Sequence, residues 1–94
     1  MLTLSDRIAA CAHTAAEATP DGHLVLDLST GGYFDLGRVG GFVWERLDGA
    51  TPLAVIATEV TGRFEVDPGE AERDLLAFVT ELVGAGLARV TAGP

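Results

Sequence analysis

Residues 23–36, HLVLDLSTGGYFDL, decide the fold class of this 94-residue chain. Apolar residues alternate through residues 23–29, and this period of two predicts a β-strand with two chemically different faces. The following Thr30-Gly31-Gly32 is typical of a hairpin connection. Residues 33–36 then predict the return strand, so this stretch indicates a small antiparallel sheet.

The return strand begins with two adjacent aromatic residues. Its alternation places Phe34 and Leu36 on the face that packs inward, and Tyr33 and Asp35 on the opposite face. If this strand lies at the edge of the sheet, it lacks the usual protection by Pro, Lys or a series of charges, apart from Asp35. Such an edge is either an aggregation risk or a site for an added strand, and the residue types leave both open.

After the return strand the hydrophobic period becomes helical. Apolar residues at helical spacing predict a first helix from Arg38, with Gly49 as a left-handed cap. Thr51 as N-cap and Pro52 as the first helical residue predict a second helix that ends or weakens at Gly62. Trp44 adjoins the apolar stripe of the first helix and is interpreted as a core or core-edge residue.

The third helix has the clearest start. Asp67 is the predicted N-cap, Pro68 follows it, and Glu70 stands three residues after the cap. Gly84 and Gly86 close the helix. The apolar stripe comprises Ala71, Leu75, Phe78, Val79 and Leu82.

The two ends of the chain carry weaker patterns. A strand is favoured over a helix within residues 2–13, residues 87–90 predict a short terminal strand, and residues 91–94 predict a frayed tail. The order of elements predicts one α+β domain over residues 1–94, with a two- or three-stranded antiparallel sheet followed by three helices. The spacing of the helices also fits a helix-turn-helix.

Composition excludes several classes of partner. Six Arg, no Lys and fourteen acidic residues give a net charge of −8. Such a chain repels nucleic-acid phosphates and anionic lipids, and it favours a basic or apolar partner. The sequence has no apolar run long enough to cross a membrane and no secretion signal. With a single cysteine, the expected compartment is the cytoplasm.

The sequence predicts no enzyme, metal or cofactor. Cys11 and His13 share a strand face, but no acidic residue stands beside them to orient the histidine. The two histidines fit no zinc-binding spacing, and one cysteine cannot complete a zinc site. The glycine pairs at 31–32 and 40–41 match no phosphate-binding motif. Turns and close packing are the favoured roles for both pairs.

A DNA-binding regulator is the competing class, because the helices have helix-turn-helix spacing. The third helix would be the reader, but it offers a single Arg, Arg73, and four acidic residues. Base readout depends on Arg, Lys, Asn and Gln, and this chain contains only the first of these. The residue types therefore argue against DNA.

The segment from His23 to Val90 resembles the PqqD-like family of peptide-recognition domains, also called RiPP recognition elements. The resemblance implies a core of residues 23–90 with a winged helix-turn-helix fold, in which a three-stranded antiparallel sheet is followed by three helices. The resemblance rests on ordered motifs: an apolar strand ending L-D-x-x-T-G, the aromatic pair followed by x-Leu, and V-G-x-x-x-W-x-x-L-D-G. T-P-L and V-D-P then open the second and third helices, and D-L-L-x-x-V-x-x-L-x-x-x-G-L follows. Gly37 stands where Asn is common in the family.

The resemblance implies a non-catalytic protein that binds the leader segment of a ribosomally made precursor peptide as an added strand. It implies a free-standing member, most similar to those of lasso-peptide pathways, whose partners are a transglutaminase-like leader peptidase and a cyclase. A peptide chaperone of pyrroloquinoline quinone synthesis, or of another modified-peptide pathway, is the alternative. The implied peptide-binding residues are Tyr33, Phe34, Asp35, Leu36, Arg73, Asp74, Ala77 and Phe78.

Overall fold

The computed structural model describes residues 1–91, which form six short strands and three helices. In chain order these are β1 (Arg7–Ala10), β2 (Thr14–Thr19), β3 (Gly22–Asp27), β4 (Tyr33–Leu36), α1 (Gly37–Trp44), β5 (Asp48–Pro52), α2 (Leu53–Arg63), α3 (Pro68–Gly84) and β6 (Ala88–Val90). The predicted α+β class and its three helices are confirmed. The predicted frayed tail falls mostly on residues 92–94, which lie outside the described residues. Thr91 is held in place, because its backbone N–H donates to the Arg7 carbonyl at 2.9 Å.

The strands form two three-stranded antiparallel sheets instead of the single predicted sheet. The first sheet has the order β5-β1-β6 and joins segments from distant parts of the described chain. The second, here called the hairpin sheet, has the order β2-β3-β4. The difference arises because β1 pairs with β5 and β6, whereas β2 takes the place beside β3.

Two strands lie where the sequence predicts no strand. Strand β2 is rich in alanine, which has little β propensity, yet it pairs with β3 without interruption from Thr14↔Asp27 to Thr19↔Gly22. Strand β5 occupies the predicted start of the second helix, so that prediction is wrong by one residue. Pro52 is the N-cap with extended backbone, and α2 begins at Leu53.

The helix-to-strand turn at Asp48, between α1 and β5, explains this shift. The Asp48 carboxylate accepts hydrogen bonds from the backbone N–H groups of Ala50 and Thr51, at 2.9 Å each. These bonds hold the segment extended against β1, and α1 has already ended at Trp44. Gly49 has the expected positive φ of 77°, but it lies within β5 and caps no helix.

Helix α3 begins and ends as predicted. The Asp67 side chain accepts from the N–H groups of Gly69 and Glu70, at 3.0 and 3.3 Å. At the other end, Gly86 N–H donates to the Val83 carbonyl and Leu87 N–H to the Leu82 carbonyl. This paired pattern is the Schellman motif that a left-handed glycine permits, and it turns the chain into β6.

The core lies between the helices and the inner faces of both sheets. Trp44 is buried within it, as predicted, with 7% of its surface exposed. The side chain of Val25 on β3 points into the core, whereas Leu26 on β3 and Leu28 just after it are exposed to solvent. The largest fully buried side chains are Ile8, Val25, Leu53, Ile56, Val79 and Leu87.

Candidate functional site

Strand β4 is one edge of the hairpin sheet. It pairs with β3 in the register Val25↔Phe34, and no other strand within residues 1–91 pairs with its second side. The Asp27 N–H donates to the Gly32 carbonyl at 2.8 Å, which makes 27 and 32 a hydrogen-bonded pair. Because such pairs alternate along an antiparallel ladder, the backbone of Phe34 faces β3. The N–H and C=O groups of Tyr33 and Asp35 therefore face the free edge.

A groove runs between β4 and α3, and it contains two cavities. The first has a volume of about 340 Å³ and is lined by β4 and by all three helices. Its apolar lining includes Leu36, Val39, Val43, Val60, Leu75 and Phe78. The second has a volume of about 380 Å³ and lies nearer the end of α3, against Phe34, Leu82 and Leu87. Leu36 and Phe78 line both cavities and so separate them.

The groove combines an apolar lining with acidic residues. Glu70 and Asp74, one turn apart on α3, line the first cavity. Asp35 and Glu81 line the second. No Arg of the described chain lines either cavity. An amphipathic basic segment therefore fits this groove better than an acidic one.

The structure places the predicted site residues in three groups. Those that line the groove are Phe34, Asp35, Leu36, Asp74 and Phe78. Tyr33 is 70% exposed and lies on the outer face of the sheet, beside Leu24 and Leu26. Arg73 and Ala77 are exposed on α3 and line neither cavity.

Twelve residues that line the groove are absent from the predicted site; nine of them are apolar, and the other three are Gly40, Glu70 and Glu81. Glu70 and Asp74 are four residues apart on α3, as are Asp74 and Phe78, so helical spacing alone extends the predicted face to Glu70. Gly40 has no side chain to mark it. Its role follows only from the close packing of its neighbours.

Asp27 fixes the turn that presents β4. Its carboxylate accepts from the Ser29 hydroxyl at 2.6 Å and from the Ser29 N–H at 2.9 Å. The Ser29 hydroxyl, followed by the Ser29 and Thr30 N–H groups, lowers the pKa of Asp27, whereas burial opposes the shift. These hydrogen bonds stabilise the five-residue turn, residues 28–32, between β3 and β4.

We expect acid to weaken the fold through this turn. The folded-state pKa of Asp27 is depressed, so its stabilisation is present above the unfolded value of about 3.8 and is lost as the pH falls through the folded value. Thermal melts from pH 7 to pH 2 should show a falling Tm below about pH 4. In Asp27→Asn the Tm should be lower at pH 7 and should fall less on acidification. An equal acid dependence in both proteins would show that other carboxylates dominate.

The residues considered for catalysis have structural partners. The His13 Nε2 lies 2.9 Å from the Gly86 carbonyl oxygen, at the turn after α3. The Cys11 N–H donates to the Leu87 carbonyl at 2.9 Å. Within residues 1–91, no group of three His, Cys, Asp or Glu side chains is arranged to hold a metal ion. The helices of this part of the chain are also too short or too polar to cross a membrane.

The fold and the groove define the class: an α+β domain whose open strand edge faces a helix across an apolar, acid-rimmed groove. Residues 22–88 match the family model described as coenzyme PQQ synthesis protein D, PqqD. The chain belongs to the PqqD family, which confirms the resemblance seen in the sequence. No curated protein matches the sequence significantly.

Two solved structures are similar to this chain. One is a lasso peptide synthetase B1 complexed with its leader peptide, with 29% identity and a TM-score of 0.79; the match covers 88% of this chain and 98% of that one. The other is TbiB1 in complex with the TbiA(beta) leader peptide, with 27% identity and a TM-score of 0.79; it covers 90% of this chain and 99% of that one. The fold thus extends over nearly the whole of both relatives.

Proposed function

We propose that this protein binds the leader segment of a ribosomally synthesised precursor peptide, without catalysing a reaction itself. The observation that carries the proposal is the free edge of β4 beside the groove formed with α3. An extended peptide gains backbone hydrogen bonds at such an edge and specificity from side-chain pockets. Both similar structures are complexes with leader peptides, which supports this occupant.

In this proposal the leader pairs with the outward N–H and C=O groups of Tyr33 and Asp35. Every second leader residue then points into the groove, where the two cavities receive apolar side chains. Burial of one Leu- or Phe-sized side chain contributes about 1.5–3 kcal/mol. The backbone bonds set the orientation of the leader, and the cavities select its sequence.

The proposal also includes the biosynthetic pathway in which the protein acts. Lasso-peptide maturation is favoured by the similarity to the lasso peptide synthetase B1, and the protein would present its leader to a transglutaminase-like peptidase and to a cyclase in the cytoplasm. The description of the family favours a second candidate, a peptide chaperone for pyrroloquinoline quinone synthesis. The neighbouring genes distinguish the two: a short precursor beside a peptidase and a cyclase supports the first, and a radical enzyme supports the second.

Phe34→Asp is the direct test of the groove. Phe34 is 39% exposed and lines the second cavity, where Asp35 and Glu81 already supply negative charge. We expect at least a tenfold loss of affinity, about 1.4 kcal/mol, from lost apolar contact and added charge. Fluorescence anisotropy with a labelled leader, taken from the precursor encoded nearest to this gene, measures it. The control is Val55→Asp, because Val55 is similarly exposed, at 48%, and lines neither cavity.

We also propose that Asp35 or Asp74 pairs with a basic residue of the leader. Asp74→Asn should weaken binding about threefold, since an exposed ion pair contributes about 0.2–1 kcal/mol. The same substitution should reduce the salt dependence of the affinity. Asp21→Asn, in the turn before β3, is the control for net charge. An identical salt dependence in the wild type and Asp74→Asn would contradict pairing at Asp74, and the same comparison with Asp35→Asn tests the other carboxylate.

A further inference from the structure

Gly40 is a buried glycine within α1 whose backbone does not require glycine. It is absent from the residues with positive φ, so its conformation is open to any L-residue. Glycine is less favourable than alanine inside a helix. A reason for glycine at this position must therefore come from the surroundings of its Cα atom.

Those surroundings are the two walls of the groove. A Cβ atom added to Gly40 would lie 3.1 Å from Leu36 Cβ on the β4 side and 3.1 Å from Phe78 Cζ on the α3 side. The next ring atom, Phe78 Cε1, would be at 3.3 Å. Carbon atoms pack favourably at about 3.5–4.0 Å, so a methyl group would push both walls outward or tilt the ring. Leu36 and Phe78 are the residues that divide the two cavities.

We infer that Gly40 is a specificity-determining residue of the groove, because its missing side chain sets the distance between the walls and the depth of the first cavity. The inference rests on the proposed function. It states that the groove selects a leader by the size of one of its apolar side chains. The first cavity, at about 340 Å³, suits a large aliphatic or aromatic side chain. Alanine at position 40 would favour a smaller one.

Other helical glycines provide matched controls. A Cβ on Gly62 in α2, or on Gly84 at the end of α3, would meet no atom within 4 Å. Alanine at either site changes the helix without touching the groove. These variants separate the effect of a glycine-to-alanine change from the effect of the walls.

The test measures selectivity instead of affinity alone. The probes are the fluorescein-labelled leader from the nearest encoded precursor and versions in which each large apolar residue in turn is shortened to alanine. Gly40→Ala should weaken binding of the native leader about tenfold, because overpacking at a filled contact costs about that much. For one shortened leader the loss should be less than about twofold, within the tolerance of additive changes. Gly62→Ala should bind every probe as the wild type does.

A second variant acts in the opposite direction. Phe78→Leu in the Gly40→Ala background removes the ring atoms that the new methyl meets. Because Phe78 itself lines both cavities, the reference is Phe78→Leu alone, and adding Gly40→Ala to it should change the ratio between native and shortened leaders less than Gly40→Ala changes it in the wild type. Thermal melts confirm that each variant is folded. If Gly40→Ala leaves the ratio between the affinities for native and shortened leaders unchanged, the inference about Gly40 is overturned and the proposed function is not. This holds whether all affinities fall together or none falls. A wild-type protein that binds no leader overturns the proposed function, and the inference with it.

Discussion

We expect Asp35→Pro to bind a leader peptide at least about thirtyfold more weakly than the wild type, a loss of about 2 kcal/mol, in an anisotropy titration. The Asp35 N–H faces the free edge of β4, and proline removes this donor and places its ring where a paired strand would lie. A leader carbonyl left without its partner costs about 1–3 kcal/mol, and the steric clash adds to this loss. The hydrogen bonds between β4 and β3 are spared, because the backbone of Phe34 makes them and that of Asp35 does not.

A control at the opposite edge isolates this effect. The Leu28 N–H donates to the His13 carbonyl at 2.8 Å, so the alternation directs the Ala16 backbone away from β3. Ala16→Pro therefore removes an outward N–H from β2, the other edge of the same sheet, and should leave leader binding unchanged. Asp35→Asn keeps the bond that the side chain accepts from the Gly37 N–H at 3.1 Å and should lose little. Equal losses for both proline variants would contradict pairing at β4.

We expect Gly22→Ala to lower the melting temperature by more than about 10 °C, which corresponds to about 2 kcal/mol for a domain of this size. Gly22 has φ of 143° and lies directly against the carbonyl group of Gly37. An added Cβ would collide with that backbone group and would approach the Arg38 nitrogen to 2.8 Å. Neither neighbour is a side chain that can rotate away, so the hairpin sheet must separate from the start of α1.

Gly31→Ala measures the conformational part of this effect by itself. Gly31 also has positive φ, 79°, but a Cβ there would meet nothing within 4 Å. Its loss should be about 1 kcal/mol, the cost of the left-handed conformation for an L-residue. Denaturant melts of both variants give the difference. Similar losses at the two positions would mean that the contact between Gly22 and Gly37 is unimportant.

Local signals predicted the hairpin and α3, because each depends on neighbouring residues. The Asp67 cap, the glycine end of α3 and the alternation of β3 and β4 are set within a few residues. Strand β5 was missed because it is stabilised from a distance: Arg7 pairs with Pro52, and Ala9 with Asp48. Strand β2 has too few β-branched residues to be recognised, and its pairing with β3 defines it.

The groove residues also divide into those that local patterns predict and those that depend on distant contacts. The alternation predicts that Phe34 and Leu36 share one face of β4, and in the structure both line the second cavity. The choice of β4 as the edge that binds came from family resemblance. Gly40 could not be found from the sequence, since its importance lies in distances to Leu36 and Phe78 across three elements.

Leu36 and Phe78, which lie between the two cavities, have a consequence for the register of a bound peptide. Backbone pairing alone permits a strand to slide by two residues, about 6.8 Å, without exchanging its faces. Two cavities of different lining remove this degeneracy, because only one alignment seats each side chain in the cavity that fits it. A leader bound at β4 would then be positioned to a single residue, and the cleavage point of the precursor would be measured from there.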